Sequence, residues 1–138
     1  MNTNIKYITG SHALNLPCSL DTCGDWHTSA LQWDMPFMRN SSDSIFGDYG
    51  IEHNKTIPES GGKYYVANHI RAILDLLETN RLTIAQGIKD DYICNDNYTD
   101  ELFIQVTKLT ALAHWHKIDE LMNKEYKNRW LDYKGESI

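Results

Sequence analysis

The chain changes character near residue 63, and that change limits what it can fold into. Residues 1–63 hold all three prolines and six of the eight glycines, with short apolar runs between turn residues. Residues 64–138 hold no proline and two glycines, and their apolar residues recur at helical spacing. Proline removes a backbone donor and glycine loses the most entropy on ordering, so the first part is suited to short strands and turns. The pattern implies an α+β fold: a small irregular N-terminal β-sheet and loop region packed against about three C-terminal helices. At 138 residues the chain is the size of one domain, with 1–63 its strand- and loop-rich part and 64–138 its helical part.

Within that frame, Ile5–Ile8 is β-branched and aromatic and ends at Gly10, which predicts a strand. His27–Trp33 reads as a second strand. Ser44–His53 reads as a third, with Gly47 and Gly50 marking a bulge or tight turn. In the helical part, Val66, Ile70, Ile73, Leu74 and Leu77 form one stripe, with Tyr64, Asn68, Arg71, Asp75 and Glu78 opposite. That spacing predicts an amphipathic helix over 64–79, capped by Ser60 and entered through Gly61-Gly62. A short helix is expected over Leu82–Ile88, with Ile84 and Ile88 on one side. Another starts at Asp96–Thr99 with Thr99 as its N-cap and Leu102, Phe103, Val106, Leu109 and Ala113 inward. A last one over His116–Leu131 points Ile118, Leu121, Met122 and Tyr126 inward.

Composition narrows the class further. Hydrophobic residues make up 41%, enough for a packed core and too many for a disordered tail. No apolar run approaches the roughly 20 residues of a membrane-spanning helix. The formal charge is −6 and is shared evenly, with four basic against seven acidic residues up to Lys63 and nine against twelve after it. An acidic chain without a basic arm disfavours nucleic acid as a partner, since phosphate contacts need clustered positive charge. Met1–Lys6 lacks the layout of a secretory signal, which leads to the expectation of a cytoplasmic protein. There the three cysteines, Cys18, Cys23 and Cys94, would be reduced thiols. Asn54-Lys55-Thr56 and Asn97-Tyr98-Thr99 match the glycosylation pattern, which carries meaning only in secreted proteins.

The densest chemistry lies between Gly10 and Trp33. His12, Asp21, Cys23, Asp25 and His27 are the candidates for acid–base or nucleophilic work, with His69 on the first helix as a sixth. A thiolate beside a histidine that is oriented by a carboxylate is an activated nucleophile. Residues 23–27, if extended, would not place that thiol against that imidazole. Cys18, Cys23 and His27 have borderline metal-ligand spacing, and His12 could complete a tetrahedral set. The tight second pair usual in structural zinc sites is missing, so neither a metal nor a cofactor is expected. Gly10-Ser11 after a strand matches the opening of the nucleotidyltransferase pattern. That chemistry needs two aspartates two residues apart, and Asp21-Thr22-Cys23 offers one, while Asn15-Leu16-Pro17 interrupts the helix between. The simplest reading of the segment is a loop held by its own hydrogen bonds.

Other features have plain explanations. Ser60-Gly61-Gly62-Lys63 before a helix could hold an anion on backbone amides, but the P-loop spacing is absent. His114-Trp115-His116 sits at a helix junction, where a histidine suits a helix C-terminus. The mixed charges of the final helix describe a solvated, ion-paired face. Trp130 and Tyr133, with Trp26 and Trp33, are candidate interface aromatics if they face solvent. The expected function is that of a small interaction protein that binds another protein, of the inhibitor or antitoxin kind, and a homo-oligomer is compatible with it. The alternative is a small hydrolase or transferase that uses the Cys/His/Asp segment 12–27, with or without a metal ion.

Overall fold

A computed structural model describes residues 4–24, 28 and 31–137, and it is an α+β fold. Its sheet has four strands: β1 (Lys6–Ile8), β2 (Met38–Asn40), β3 (Ile51–Lys55) and β4 (Tyr64–Ala67). Their spatial order is β2-β1-β4-β3, with β1 parallel to β4 and both outer pairs antiparallel. Six helices are described: α1 (Gly10–Leu14), α2 (His69–Glu78), α3 (Leu82–Ala85), α4 (Thr99–Val106), α5 (Trp115–Tyr126) and α6 (Asn128–Ser137). Short 3-10 turns and one π-type turn at Ile88–Tyr92 join them.

β1 forms where the β-branched and aromatic run predicts it. Tyr64-Tyr65-Val66-Ala67, expected to open the long helix, is instead β4. Asn68 supplies the reason: its side-chain oxygen accepts from the Arg71 amide, an N-cap bond that starts the helix at His69. Ser60 consequently caps no helix, and its hydroxyl meets the Tyr64 hydroxyl at 2.6 Å. The anion reading of Ser60–Lys63 loses its helix and is withdrawn. Residues 44–50 turn rather than extend, with Gly47 and Gly50 both at positive φ. The strand expected within Ser44–His53 begins only at Ile51. The described part of the strand expected over His27–Trp33 (Thr28, Leu31, Gln32 and Trp33) is a turn, closed by the Leu31 amide on the Thr28 carbonyl.

The helical part departs from its pattern at three points. Tyr98, not Thr99, precedes α4, and the Thr99 hydroxyl is buried without a partner. Ile84 is exposed, while Ile88 is buried in the turn after α3. The final helix is two, because Lys127 takes φ 55° and turns α6 back against α5. Trp130 Nε1 and Lys134 Nζ then both donate to Asp119 of α5, at 2.7 Å each.

The core is organised around α2. Every residue from His69 to Leu77 is buried, which makes α2 a central helix and not an amphipathic surface one. Its polar face, which the periodicity assigns to solvent, surrounds Asp75, a side chain with no exposed surface. Tyr7 and Thr9 hydroxyls donate to Asp75 Oδ2 at 2.7 Å each. Arg39 Nη1 and Arg71 Nε donate to Oδ1 at 2.7 and 3.0 Å. Arg71, also wholly buried, further donates to the Tyr7 hydroxyl and to the carbonyls of Gly47 and Tyr49. Arg39 reaches Glu78 at 3.0 Å and the Asp43 carbonyl. A buried charge survives only when paired and hydrogen-bonded, and here both conditions hold.

Removing one partner from such a set strands the others. Asp75→Asn is expected to lower the unfolding free energy by about 3–5 kcal/mol, because the buried Arg71 guanidinium loses its counter-charge and Arg39 keeps only Glu78. Tyr7→Phe should cost about 1–3 kcal/mol, the penalty of one orphaned buried donor. Urea unfolding followed by tryptophan fluorescence measures both.

Glu78 gives the network a pH dependence. Burial pushes its carboxyl up, but the Ser44 hydroxyl, the Ile45 amide and Arg39 outweigh that and hold it below its ordinary 4.5. A folded value below the unfolded one contributes stability that is present above pH 4.5 and is lost as pH falls through the folded value. The Glu78→Gln variant should therefore show a shallower loss of stability in acid, read as the slope of urea midpoint against pH.

Candidate functional site

α1 ends at Asn15, whose Nδ2 donates to the Ser11 carbonyl at 2.8 Å. Pro17 follows, and the chain then runs as an irregular loop past the start of α2. Asp25, Trp26 and His27 lie outside the described residues. The remaining candidates separate into two groups.

The first group is tied to backbone or consumed. His12 Nε2 meets the Gln32 carbonyl at 2.9 Å, and its Nδ1 accepts from the Phe37 amide at 3.1 Å. A carbonyl only accepts and an amide only donates, so Nε2 is the donor and Nδ1 the acceptor. His12 is thereby a clasp between α1 and residues 32–37, which lead into β2, and it packs edge-on to Trp33 at 4.9 Å. Asp21 is exposed, its amide bonded to the Tyr98 hydroxyl and its carbonyl to Asn95. Cys23 forms a disulfide with Cys94, 71 residues on, and its amide donates to the Tyr92 carbonyl. This corrects the expectation of three reduced thiols. It also takes the Cys23 sulfur out of both the nucleophile reading and the metal reading. Among the described residues no group of three or more His, Cys, Asp or Glu is gathered as a metal site would require.

The second group is assembled by the fold. His69 is the first residue of α2 and is buried. Its Nε2 donates to the Leu16 carbonyl at 2.6 Å, and its Nδ1 stands 2.5 Å from the Thr22 hydroxyl. The carbonyl fixes the proton on Nε2, which leaves Nδ1 as acceptor for Thr22. Thr22 Oγ1 is in turn 3.8 Å from Cys18 Sγ, and that thiol also faces the Leu20 carbonyl at 4.0 Å. Cys18 is the free cysteine, half-buried between the exposed Pro17 and Ser19. Burial pushes its thiol up, yet the nearby His69 ring, with backbone groups at His69 and Leu20, brings it below the ordinary thiol value. The loop is anchored beyond Cys18 by Glu52 of β3, which accepts from the Ser19 amide and hydroxyl.

The sequence reading singles out Cys18 and His69 but for different roles, and the structure joins them. Thr22 carries no signal in the sequence that would place it between them. The aromatic candidates have mostly gone inside. Trp130 is wholly buried against Phe103 at 5.0 Å, and Trp33 is buried with its Nε1 on the Thr28 carbonyl. Both therefore lack the solvent exposure that an interface anchor needs. Tyr133 is partly exposed, tilted against Phe103 at 5.3 Å. His114 stands at the start of α5, not at the C-terminus of the helix before it, and its Nε2 meets the Leu77 carbonyl at the end of α2 at 2.7 Å. A cavity of about 320 Å³ opens between α3 and α5, lined by Leu82, Gln86, Lys117, Glu120, Leu121 and Lys124. None of the candidate residues lines it.

Comparisons with protein-family models, with curated proteins and with solved structures find no match for this chain.

Gly24 holds the loop against His69. A Cβ at this position would stand 2.5 Å from His69 Cε1 and 2.5 Å from the Leu14 carbonyl oxygen, and neither the buried ring nor the backbone can retreat. Gly24→Ala is expected to destabilise by about 1–3 kcal/mol, in the range of overpacking. It should also shift the His69 ring resonances in an NMR spectrum, while those of His114 stay in place.

Proposed function

We propose that the chain is an interaction protein that acts by binding another protein, in the manner of an inhibitor or antitoxin. The observation that carries this reading is the use made of the polar segment. His12 has both ring nitrogens on backbone groups, Cys23 is bonded to Cys94, and Asp21 lies exposed on a loop whose backbone is fastened to Tyr98 and Asn95. An enzyme built on residues 12–27 calls for those side chains to converge on a wet concave pocket. The cavity between α3 and α5 contains none of them.

The surface adds two supports. A net charge of −6 favours a basic partner, because complementary fields speed encounter and fix orientation. Large apolar side chains stay in solvent at Met35, which is 83% exposed, and at Ile45, Tyr65, Ile84, Ile104 and Leu131. No helix among the described residues is long and apolar enough to cross a membrane. The second reading, a small hydrolase or transferase, keeps one supporting observation, the Cys18–Thr22–His69 arrangement.

The test is purification of the tagged full-length chain from its native cells at physiological salt, followed by native mass spectrometry. The expected result is one additional, basic chain in stoichiometric amount, released as salt rises to about 1 M because exposed charge pairs are screened within ~3 Å there. Elution of the chain alone, or as copies of itself only, overturns the reading.

A further inference from the structure

We infer that Cys18 is a reactive thiol, served by His69 as base through the Thr22 hydroxyl, and that it exchanges with low-molecular-weight disulfides of the glutathione type. This stands apart from the binding function and does not depend on it.

Three features of the arrangement carry the assignment. First, the three groups form a chain from nucleophile to base: Cys18 Sγ to Thr22 Oγ1 at 3.8 Å, then Thr22 Oγ1 to His69 Nδ1 at 2.5 Å. The far side of the ring is held by the Leu16 carbonyl at 2.6 Å, which fixes the tautomer that a base needs and stabilises the imidazolium once formed. Second, the base is built in. His69 is buried at the start of the ten-residue helix α2, and Gly24 is packed so close to its ring that a methyl group would not fit. A histidine so immobilised, with one nitrogen turned toward a hydroxyl that itself meets a thiol, is more than a filler of space. Third, the nucleophile is reachable: Cys18 is unpaired and half-buried, with exposed residues on both sides. The lowered pKa of the thiol agrees with this geometry and with the positive end of α2.

The choice of a small disulfide as the reactant follows from the same loop. Five residues beyond Cys18, Cys23 is already bonded to Cys94, so an environment that forms that bond offers Cys18 disulfide partners as well. In the exchange, the Cys18 proton passes to Thr22 oxygen as the Thr22 proton passes to His69 Nδ1. The thiolate attacks one sulfur of the small disulfide, a new S–S bond forms to Cys18, and the S–S bond of the reactant breaks. The departing thiolate takes back the proton that His69 holds, and leaves as a thiol. No other oxidant is consumed.

Among the described residues, the other charged groups near the loop have partners of their own. Glu52 on β3 is bonded to Ser19 and paired with Lys55 at 3.2 Å, and burial raises its carboxyl less than Ser19 and Lys55 lower it. Asp21 lies in the loop itself, with Asn95 on its carboxylate. Tyr92 and Tyr98 meet the loop through a carbonyl and a hydroxyl. Of these, His69 is the group whose ordinary titration range falls inside the assay window.

The experiment incubates the full chain, with Cys23–Cys94 intact, with oxidised glutathione from pH 5 to 9. Adduct formation is followed by intact mass, and the site is located by peptide mapping. The expected result is one glutathionyl group on Cys18, with a pH–rate midpoint below the ~8.5 of a free thiol. Thr22→Val, which keeps size and shape, should slow the reaction at pH 7 by about tenfold or more and move the midpoint up toward ~8.5. His69→Gln should do the same, and if it fails to fold the Thr22→Val result decides. An adduct on Cys23 or Cys94, the absence of any adduct, or a free-thiol profile unchanged by Thr22→Val overturns the assignment. So does a stoichiometric zinc ion on the purified protein, which would make the cysteines ligands and not nucleophiles.

Discussion

A carboxylate with no exposed surface stays charged only if its neighbours replace the hydrogen bonds of water, and around Asp75 those neighbours come from three separate parts of the chain. Tyr7 and Thr9 belong to β1 and its exit, Arg39 to β2, and Arg71 to the preceding turn of α2. Tyr7 and Arg39 are also direct cross-strand partners, so the same contacts that satisfy Asp75 set the register of β1 on β2. Arg71 goes further and holds the carbonyls of Gly47 and Tyr49, which closes the glycine-containing turn before β3. Strands of three to five residues have little stability of their own. The ion network gives each of them one place to dock on α2. Two arginines balance Asp75 and Glu78, so no net charge is left in the core. Its contribution is better described as specificity than as net stabilisation, because burying four charges costs about as much as their pairing returns.

Apolar pattern was legible and polar burial was not. The β-branched run at Ile5–Ile8 and the stripe Ile70, Ile73, Leu74, Leu77 both point to elements that the structure contains, because hydrophobic periodicity reports burial directly. The same periodicity misassigns Arg71, Asp75 and Glu78, since a polar face reads as solvent-facing unless its partners are known. Those partners, Tyr7 and Arg39, lie 64 and 36 residues away from Arg71 and Asp75, and nothing in a single sequence pairs them. The Arg71-Asp75 spacing of four was the one local clue. The break at Lys127 is likewise hidden. A lysine at positive φ has no sequence signature, and the energy that supports it lies in the packing of Trp130, Tyr126 and Phe103 across the two helices.

One error of boundary has a chemical consequence. A helix running from Tyr64 would bury His69 in its middle turns, with its amide bonded to the carbonyl of Tyr65. Because Asn68 caps the helix and Tyr64–Ala67 pairs as β4, His69 lies on the first turn instead. There its backbone amide is one of the four that an α-helix leaves unbonded, and its ring reaches Cys18 through the Thr22 hydroxyl. The Cys18–Thr22–His69 group therefore exists only because the strand ends where it does. The disulfide was misread for a related reason. The loop after α1 and the turn after α3 are distant in sequence, and only the packing of both beside α2 brings Cys23 to Cys94.

Three features of the molecule meet on α2. Its middle carries the ion network, its C-terminal carbonyl at Leu77 is closed by His114, and its N-terminus faces the cysteine loop. Chemistry placed at the end of the most buried helix inherits the rigidity of that helix, which is what a base poised on a thiol requires. The loop that brings the thiol is held differently, by hydrogen bonds to Glu52, Asn95 and Tyr98 and by the bond to Cys94. Those anchors sit on β3 and on the segment before α4, so a change in the oxidation state of the loop acts on elements that reach the surface. A partner bound to that surface would favour one state of the loop over the other only to the extent that it contacts the two differently, and by reciprocity the state of Cys18 would alter the partner's affinity by the same factor.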